Sequence, residues 1–125
     1  MQQPKQSHWD AALRVVRYVK AAPRLGILLE TGPIDTLSAY CDSDWASCPN
    51  TKRSVTGYVI KLGNSLLSWK SKKQQTISRS FAEAEYMSLA TATAEITWFL
   101  GLLKELQVQV QQPVSCIVIV KQLYK

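Results

Sequence analysis

The sequence predicts an α/β domain built as a strand, a β-hairpin, a long helix and a further short strand, in that order. Two observations carry this reading. Between residues 37 and 71 the apolar residues come in short runs separated by turn signals, as in half-buried strands. From Ser80 to Leu106 the chain is rich in Ala, Leu and Glu and holds no Pro and no Gly before Gly101, which is the composition of one long helix. A helix placed between a hairpin and a last strand acts as a crossover, and the last strand then returns parallel to the first. The predicted sheet is therefore mixed, with strands one to three antiparallel and a fourth strand parallel to strand one. At 125 residues, 46% of them hydrophobic and 19% charged, the chain can bury one core and is too short for two.

Taken in order, "SHWDAALRVVRYVKAAP" reads as a helix: Ser7 is placed to cap it, Trp9, Leu13, Val16 and Val19 recur at helical spacing, and Pro23 stops it. Arg14 and Arg17 occupy its other face. "GILLETGPID" follows, its Gly and Pro marking turns, and a first strand is expected at about residues 37–42. "SVTGYVIKL" and "SLLSWKS" are strand-like and joined through Gly63-Asn64, a hairpin signal. "WKSKKQQTISRS" reads as a polar, basic connection. In the long helix, Tyr86, Leu89, Thr93, Ile96, Leu100 and Leu103 step by three and four, which predicts that this stripe lies on the sheet. After Pro113, "SCIVIV" is an apolar run suited to a buried strand. No internal repeat or low-complexity segment appears.

No stretch approaches the roughly 18 apolar residues of a membrane span, and "MQQPKQSHWD" lacks an apolar leader, so the expected address is intracellular, cytoplasmic or nuclear, with no membrane partner. Cys41, Cys48 and Cys116 are odd in number and lack the paired spacing of a zinc site, and His8 alone cannot complete one. Reduced thiols are expected. A formal charge of +6 permits a polyanionic partner such as nucleic acid without requiring one.

The acids of "AYCDSDWASCPNTKRSVTGYVI" raise the chemical question. Asp42 and Asp44 fall where the first strand should end, and in open α/β sheets ligands collect beyond the carboxyl ends of parallel strands. Asp and Ser also favour turns, and "DSD" alone marks a turn more often than a metal site. Glu83 is equally double-sided: Ser80 and Glu83 have the S-x-x-E spacing of a capping box, and helical phase does not separate Glu83 from Glu85. Carboxylates from two elements gain meaning where the fold brings them together, because oxygen ligands from several elements are what a hard divalent cation needs.

Further residues carry a resemblance. "YCDSDWA", "RSVTGY", "SWKSKKQ" and "AEAEY" occur in the order and approximate spacing of the ribonuclease H domain that ends the polyproteins of copia-type LTR retrotransposons, those of plants above all. The match runs from about Leu37 to Val114, and upstream "HWDAALRVVRYVKAAPRLGILL" resembles the end of the reverse transcriptase region. The resemblance implies an RNase H-like fold and hydrolysis of the RNA strand of an RNA–DNA hybrid, with two Mg²⁺ ions as cofactor. It places Asp42 at the family's first-strand aspartate and Glu83 at its helix glutamate, as catalytic and metal-binding residues. In that chemistry one ion helps generate a hydroxide and the other stabilises the leaving oxygen. Asp44 matches the second acid of the motif and receives no metal role; capping the turn before Trp45 explains it as well. Lys52, Arg53, Lys70, Lys72, Lys73 and Arg79 lie in connections flanking the acids and are the expected nucleic-acid-binding residues, set against the plain alternative of solvated basic loops. Trp45 and Trp69 could stack on sugars or bases, with aromatic packing in the core the expected use of either. Phe81 departs from the small residue usual before "AEAEY".

Beyond "PVS" the pattern breaks. The family continues into a strand ending in a Cys-Asp pair whose aspartate is a third metal ligand, whereas this chain reads "CIVIVKQLYK" and has no acid beyond Glu105. Were Ile117 to Leu123 encoded ATT GTG ATA GTA AAG CAG CTT, reading from the third nucleotide would give Cys-Asp-Ser-Lys-Ala-Ala, the family's continuation. A shifted frame or a misplaced splice junction before Ile117 is the expectation. The organisation expected is thus 1–34 as the end of the reverse transcriptase region, 35–115 as a partial, C-terminally truncated RNase H-like domain, and 116–125 as a divergent tail. An inactive polyprotein fragment with weakly held Mg²⁺ and weak affinity for hybrid or other nucleic acid is the expected product. The alternative is a domesticated nucleic-acid-binding or assembly module without catalysis.

Overall fold

A computed structural model of the chain describes residues 3–119. Helix α1 spans Gln6–Ala21. Its cap lies two residues ahead of the expected one: Lys5 occupies the N-cap position, its backbone N–H donates to His8 Nδ1 at 3.2 Å, and Ser7 lies inside the first turn. The end falls where Pro23 demands it. A proline excludes the residue before it from the helical region, and Ala22 leaves the helix at φ −140°, ψ 63°. The stripe of Trp9, Val16 and Val19 has helical spacing but stays exposed, and α1 has no buried residue.

The sheet comprises β1 (Leu37–Asp44), β2 (Val55–Leu62), β3 (Ser65–Lys73) and β4 (Ser115–Val118), in the order β3-β2-β1-β4. β1 pairs antiparallel with β2 from Leu37↔Leu62 to Asp44↔Val55, and β2 pairs antiparallel with β3. β4 lies parallel to β1, Ser38↔Ser115 to Cys41↔Val118, and the Ile119 N–H extends the ladder by donating to the Cys41 carbonyl at 2.8 Å. The mixed α/β sheet with one parallel pair is as expected. The end of "SCIVIV" and the rest of the tail, 120–125, lie outside the described residues.

Two details sharpen the sequence reading. Between β2 and β3, Gly63 takes φ +57°, and a Cβ there would collide with the Pro33 carbonyl. Turn geometry and close approach both require glycine at this position. β3 runs on to Lys73, with Lys72 opposite Thr56 and Lys73 opposite Val55. The expected basic connection is thus partly strand: Lys70, Lys72 and Lys73 are held at strand positions.

Helix α2 spans Phe81–Glu105 and is capped by Ser80, whose Oγ accepts the Glu83 N–H at 3.1 Å. Its buried stripe is Ala84, Ser88, Ala92, Ile96, Phe99 and Leu103. The expected stripe agrees in part: Ile96 and Leu103 are buried and Leu89 and Leu100 are half-buried against the core, whereas Tyr86, 72% exposed, and Thr93 are exposed. Volume explains the difference. Small side chains at 84, 88 and 92 let the helix backbone come close to the sheet, and a count of bulky apolar residues selects the neighbouring stripe instead. Facing them are the inward residues of alternating strands: Leu37, Ala39, Cys41 and Ser43 of β1, and Thr56, Tyr58 and Ile60 of β2.

Alternation also yields a test. Ile60 is 0% exposed in the core, and Val59, its neighbour, lies on the other face at 37%. Ile60→Ala should lower unfolding stability by about 2–5 kcal/mol in urea denaturation, and Val59→Ala by well under half as much. Equal losses would contradict the assignment of faces.

Candidate functional site

The end of β1 gathers the acids. Strand alternation turns Cys41 and Ser43 toward α2 and Asp42 toward the face that α2 leaves open, opposite Gly57 of β2. A cavity of about 270 Å³ lies there, bounded by Tyr40, Asp42, Gly57, Val59, Trp69 and Ile119. The Asp42 carboxylate accepts the Ser43 N–H at 2.8 Å. Asp44 closes the strand and is exposed. Trp45 acts as a structural tie, because its indole Nε1–H donates to the Ser78 carbonyl at 3.1 Å and so fastens the exit of β1 to the segment before α2. Trp69 stands on the open face, 58% exposed, rather than in the core.

Glu83 is occupied. Its Oε2 accepts the Arg79 N–H at 2.6 Å while its own N–H bonds Ser80, so the capping box forms with its return bond one residue upstream of the expected partner. The glutamate that reaches toward β1 is Glu85. It is half-buried, its Oε1 is buried without a hydrogen-bond partner, and it borders a cavity of about 250 Å³ with Ala82, Tyr86, Leu89 and Val118. Burial, then the neighbouring Cys116 thiol, then the charges of Asp42 and Glu85 push the Cys41 thiol up to about 11. Asp42 and Glu85 therefore act on one group from two elements. Glu85 adjoins the small-residue stripe of Ala84 and Ser88, while Glu83 has the capping spacing.

The fit to a two-ion Mg²⁺ centre can be tested on these side chains. Orphaned buried oxygens exist on the α2 side of the strand, Ser43 Oγ and Glu85 Oε1. Among the described residues, however, no group of three or more His, Cys, Asp or Glu side chains is placed to hold a metal ion. Mg²⁺ demands near-octahedral oxygen coordination, and two carboxylates facing different sides of a sheet do not provide it for two ions. These residues do not fit the centre, and no chemical step is routed through one.

The basic residues form two groups. Lys52 and Arg53 lie in the tight β1–β2 connection, where the Lys52 N–H donates to the Cys48 carbonyl at 2.8 Å and the Arg53 carbonyl accepts the Cys48 N–H at 3.1 Å. Lys70, Lys72 and Lys73 stand along β3 and border a cavity of about 300 Å³ whose far wall is Met87 and Thr91 of α2. The groups meet at Cys48: hydrogen bonding from Lys73, supported by Thr51 and the Asn50 backbone, brings its thiol down to about 6. Arg79 is exposed and sits just ahead of the α2 cap.

A mixed sheet crossed by one long helix, with acids at the end of its first strand, defines the class as α/β. No protein-family model and no solved structure matches the chain. Curated relatives do. The chain is 42% identical over 113 residues to the retrovirus-related Pol polyprotein from transposon RE2 of Arabidopsis thaliana, and 40% identical over 113 residues to that from transposon RE1 of the same plant. In both cases the alignment covers 90% of this chain and 8% of the relative. It is also 40% identical over 95 residues to secreted RxLR effector protein 161 of Plasmopara viticola, covering 76% of this chain and 67% of that protein. The chain is a relative of retrovirus-related Pol polyproteins of plant transposons and spans about a twelfth of the length of these two.

The thiols offer a direct check of the site. At pH 7, above the Cys48 value of about 6 and far below the Cys41 value of about 11, Cys48 is thiolate and Cys41 is thiol. Iodoacetamide should label Cys48 first, with a rate that rises with pH and levels off above about 7. Lys73→Ala should shift that profile upward. Peptide mapping that finds Cys41 alkylated as fast as Cys48 would contradict the described environments.

Proposed function

We propose that this chain is the RNase H-like portion of a copia-type Pol polyprotein, that it binds RNA–DNA hybrids through its basic strand and turn, and that the 125-residue chain alone does not hydrolyse them. The observation that carries the reading is the placement of Asp42 at the carboxyl end of β1, beside parallel β4 and in the same electrostatic surroundings as Glu85 of the crossing helix. In this reading Asp42 and Glu85 are the acids left at this end of the sheet, on its two sides, and Glu83 bonds the backbone just ahead of α2.

Binding follows from charge. Six cations, Lys52, Arg53, Lys70, Lys72, Lys73 and Arg79, flank the end of the sheet where the acids lie, in a chain of formal charge +6. They neutralise phosphates and release counterions, which gives affinity without sequence preference. Absence of hydrolysis follows from ligand count. Among the described residues no third carboxylate converges with Asp42 and Glu85, and those two face different sides of the sheet, so the chain lacks the oxygen cluster that hydrolysis of a phosphodiester through Mg²⁺ would require.

Fluorescence anisotropy and a cleavage gel test both halves. If about four phosphates are contacted, hybrid affinity should fall roughly a hundredfold between about 50 and 200 mM salt. Labelled RNA in the hybrid should remain intact with Mg²⁺ present. Salt-independent affinity would reject the binding half. Mg²⁺-dependent cleavage that disappears in Asp42→Asn would reject the claim of inactivity and show that the carboxylates present suffice.

A further inference from the structure

The cavity between β3 and α2 has its own chemistry, although Lys70 also borders the Asp42 cavity on the far side of the strand. Its rim carries Lys70, Lys72 and Lys73, and no acidic residue among those described lines it. Its polar floor is fixed by hydrogen bonds. Gln74, 7% exposed, donates through Nε2 to Thr56 Oγ1 and to the Ala84 carbonyl, both at 3.0 Å, and its Oε1 accepts the Ser78 hydroxyl at 2.9 Å. Thr56 in turn bonds Ser88 at 2.9 Å. The α2 wall offers the half-exposed thioether of Met87 beside Thr91, whose hydroxyl donates to the Met87 carbonyl at 2.8 Å.

Clustered cations over a rigid polar floor, with one soft apolar wall, match an anion attached to a small apolar body. At about 300 Å³ the space is at the lower end of ligand pockets and suits a single nucleotide unit. We propose that this cavity binds one phosphodiester unit of a nucleic-acid strand, with Lys70 and Lys72 on the phosphate and Met87 against the sugar. The inference rests on the nucleic-acid binding proposed above and adds where one strand is held. Strand geometry favours it over chance surface charge: Lys70 and Lys72 are two apart on β3, opposite Tyr58 and Thr56, and so share the face that α2 covers.

The experiment has two arms on the full chain. In the first, anisotropy across a salt series compares the unmodified protein with Lys70→Gln/Lys72→Gln and, as a reference, Lys52→Gln/Arg53→Gln. Losing two lysines from one held strand should lower the slope of log affinity against log salt by nearly two. In the second, amide NMR shifts of Gln75, Met87 and Thr91 in unmodified protein are followed with a short single-stranded oligonucleotide and, separately, with inorganic phosphate. Shifts with the oligonucleotide and the reduced slope together support the site. An unchanged slope in a double variant that still binds hybrid overturns the site and leaves the proposed function standing. Shifts with inorganic phosphate but not with the oligonucleotide overturn it in favour of a free-anion site. If unmodified protein fails to bind hybrid at all, the proposed function falls, and the oligonucleotide shifts alone decide the cavity.

Discussion

The close seating of α2 on β1 and β2 is the constraint on which the rest of the fold depends. Ala84, Ser88 and Ala92 bring the helix near enough for Ser88 to share a 2.9 Å hydrogen bond with Thr56, and Gln74 spans the same seam. These buried hydroxyl and amide groups are satisfied by one another, so the seam combines close packing with directional bonds. Farther along the helix Ile96, Phe99 and Leu103 fill the interface with larger side chains and set the core. A helix seated in this way has one rotation about its axis and one height along the sheet.

That rotation decides the division of labour among the acids. Glu83 faces back toward the start of α2 and accepts the Arg79 N–H, just ahead of the Ser80 cap. Glu85 falls on the flank next to the buried stripe and meets the end of β1. The same seating fixes the distance between α2 and the lysines of β3, because Gln74, the residue after the strand, is bonded to the helix carbonyl of Ala84. Glu85 and the lysines of β3 thus lie on two flanks of one helix, over different strands.

Much of the fold was legible in the residues. Alternation marked the strands, Gly63-Asn64 marked the hairpin, and Ser80 marked the start of the long helix, since each reflects a local rule of backbone geometry. The parallel pairing of β4 with β1 followed from the handed crossover of a long helix. What escaped was set by tertiary distance. The bulky stripe from Tyr86 to Leu103 looks like the buried one until small residues reveal themselves as the points of closest approach. Lys70 to Lys73 look like a loop because strand propensity is low there, and pairing with β2 overrides it. The place of Asp42 near the end of a strand was legible. Which glutamate of α2 lies nearer β1 depends on the helix rotation, set by packing that periodicity alone does not encode.

Helix α1 behaves differently from every element discussed so far. It covers 16 residues and buries none of them, and its capping is limited to backbone and His8 contacts near Lys5. Isolated helices of this length are marginal in water. Its order is therefore its own affair, uncoupled from the cooperative unit formed by the sheet and α2. On warming, helical signal from α1 should fade gradually while the remainder is still intact, and amide exchange should be faster across α1 than across β1 and β2. The chain is thermodynamically two objects on one string, and a single melting temperature describes only the second.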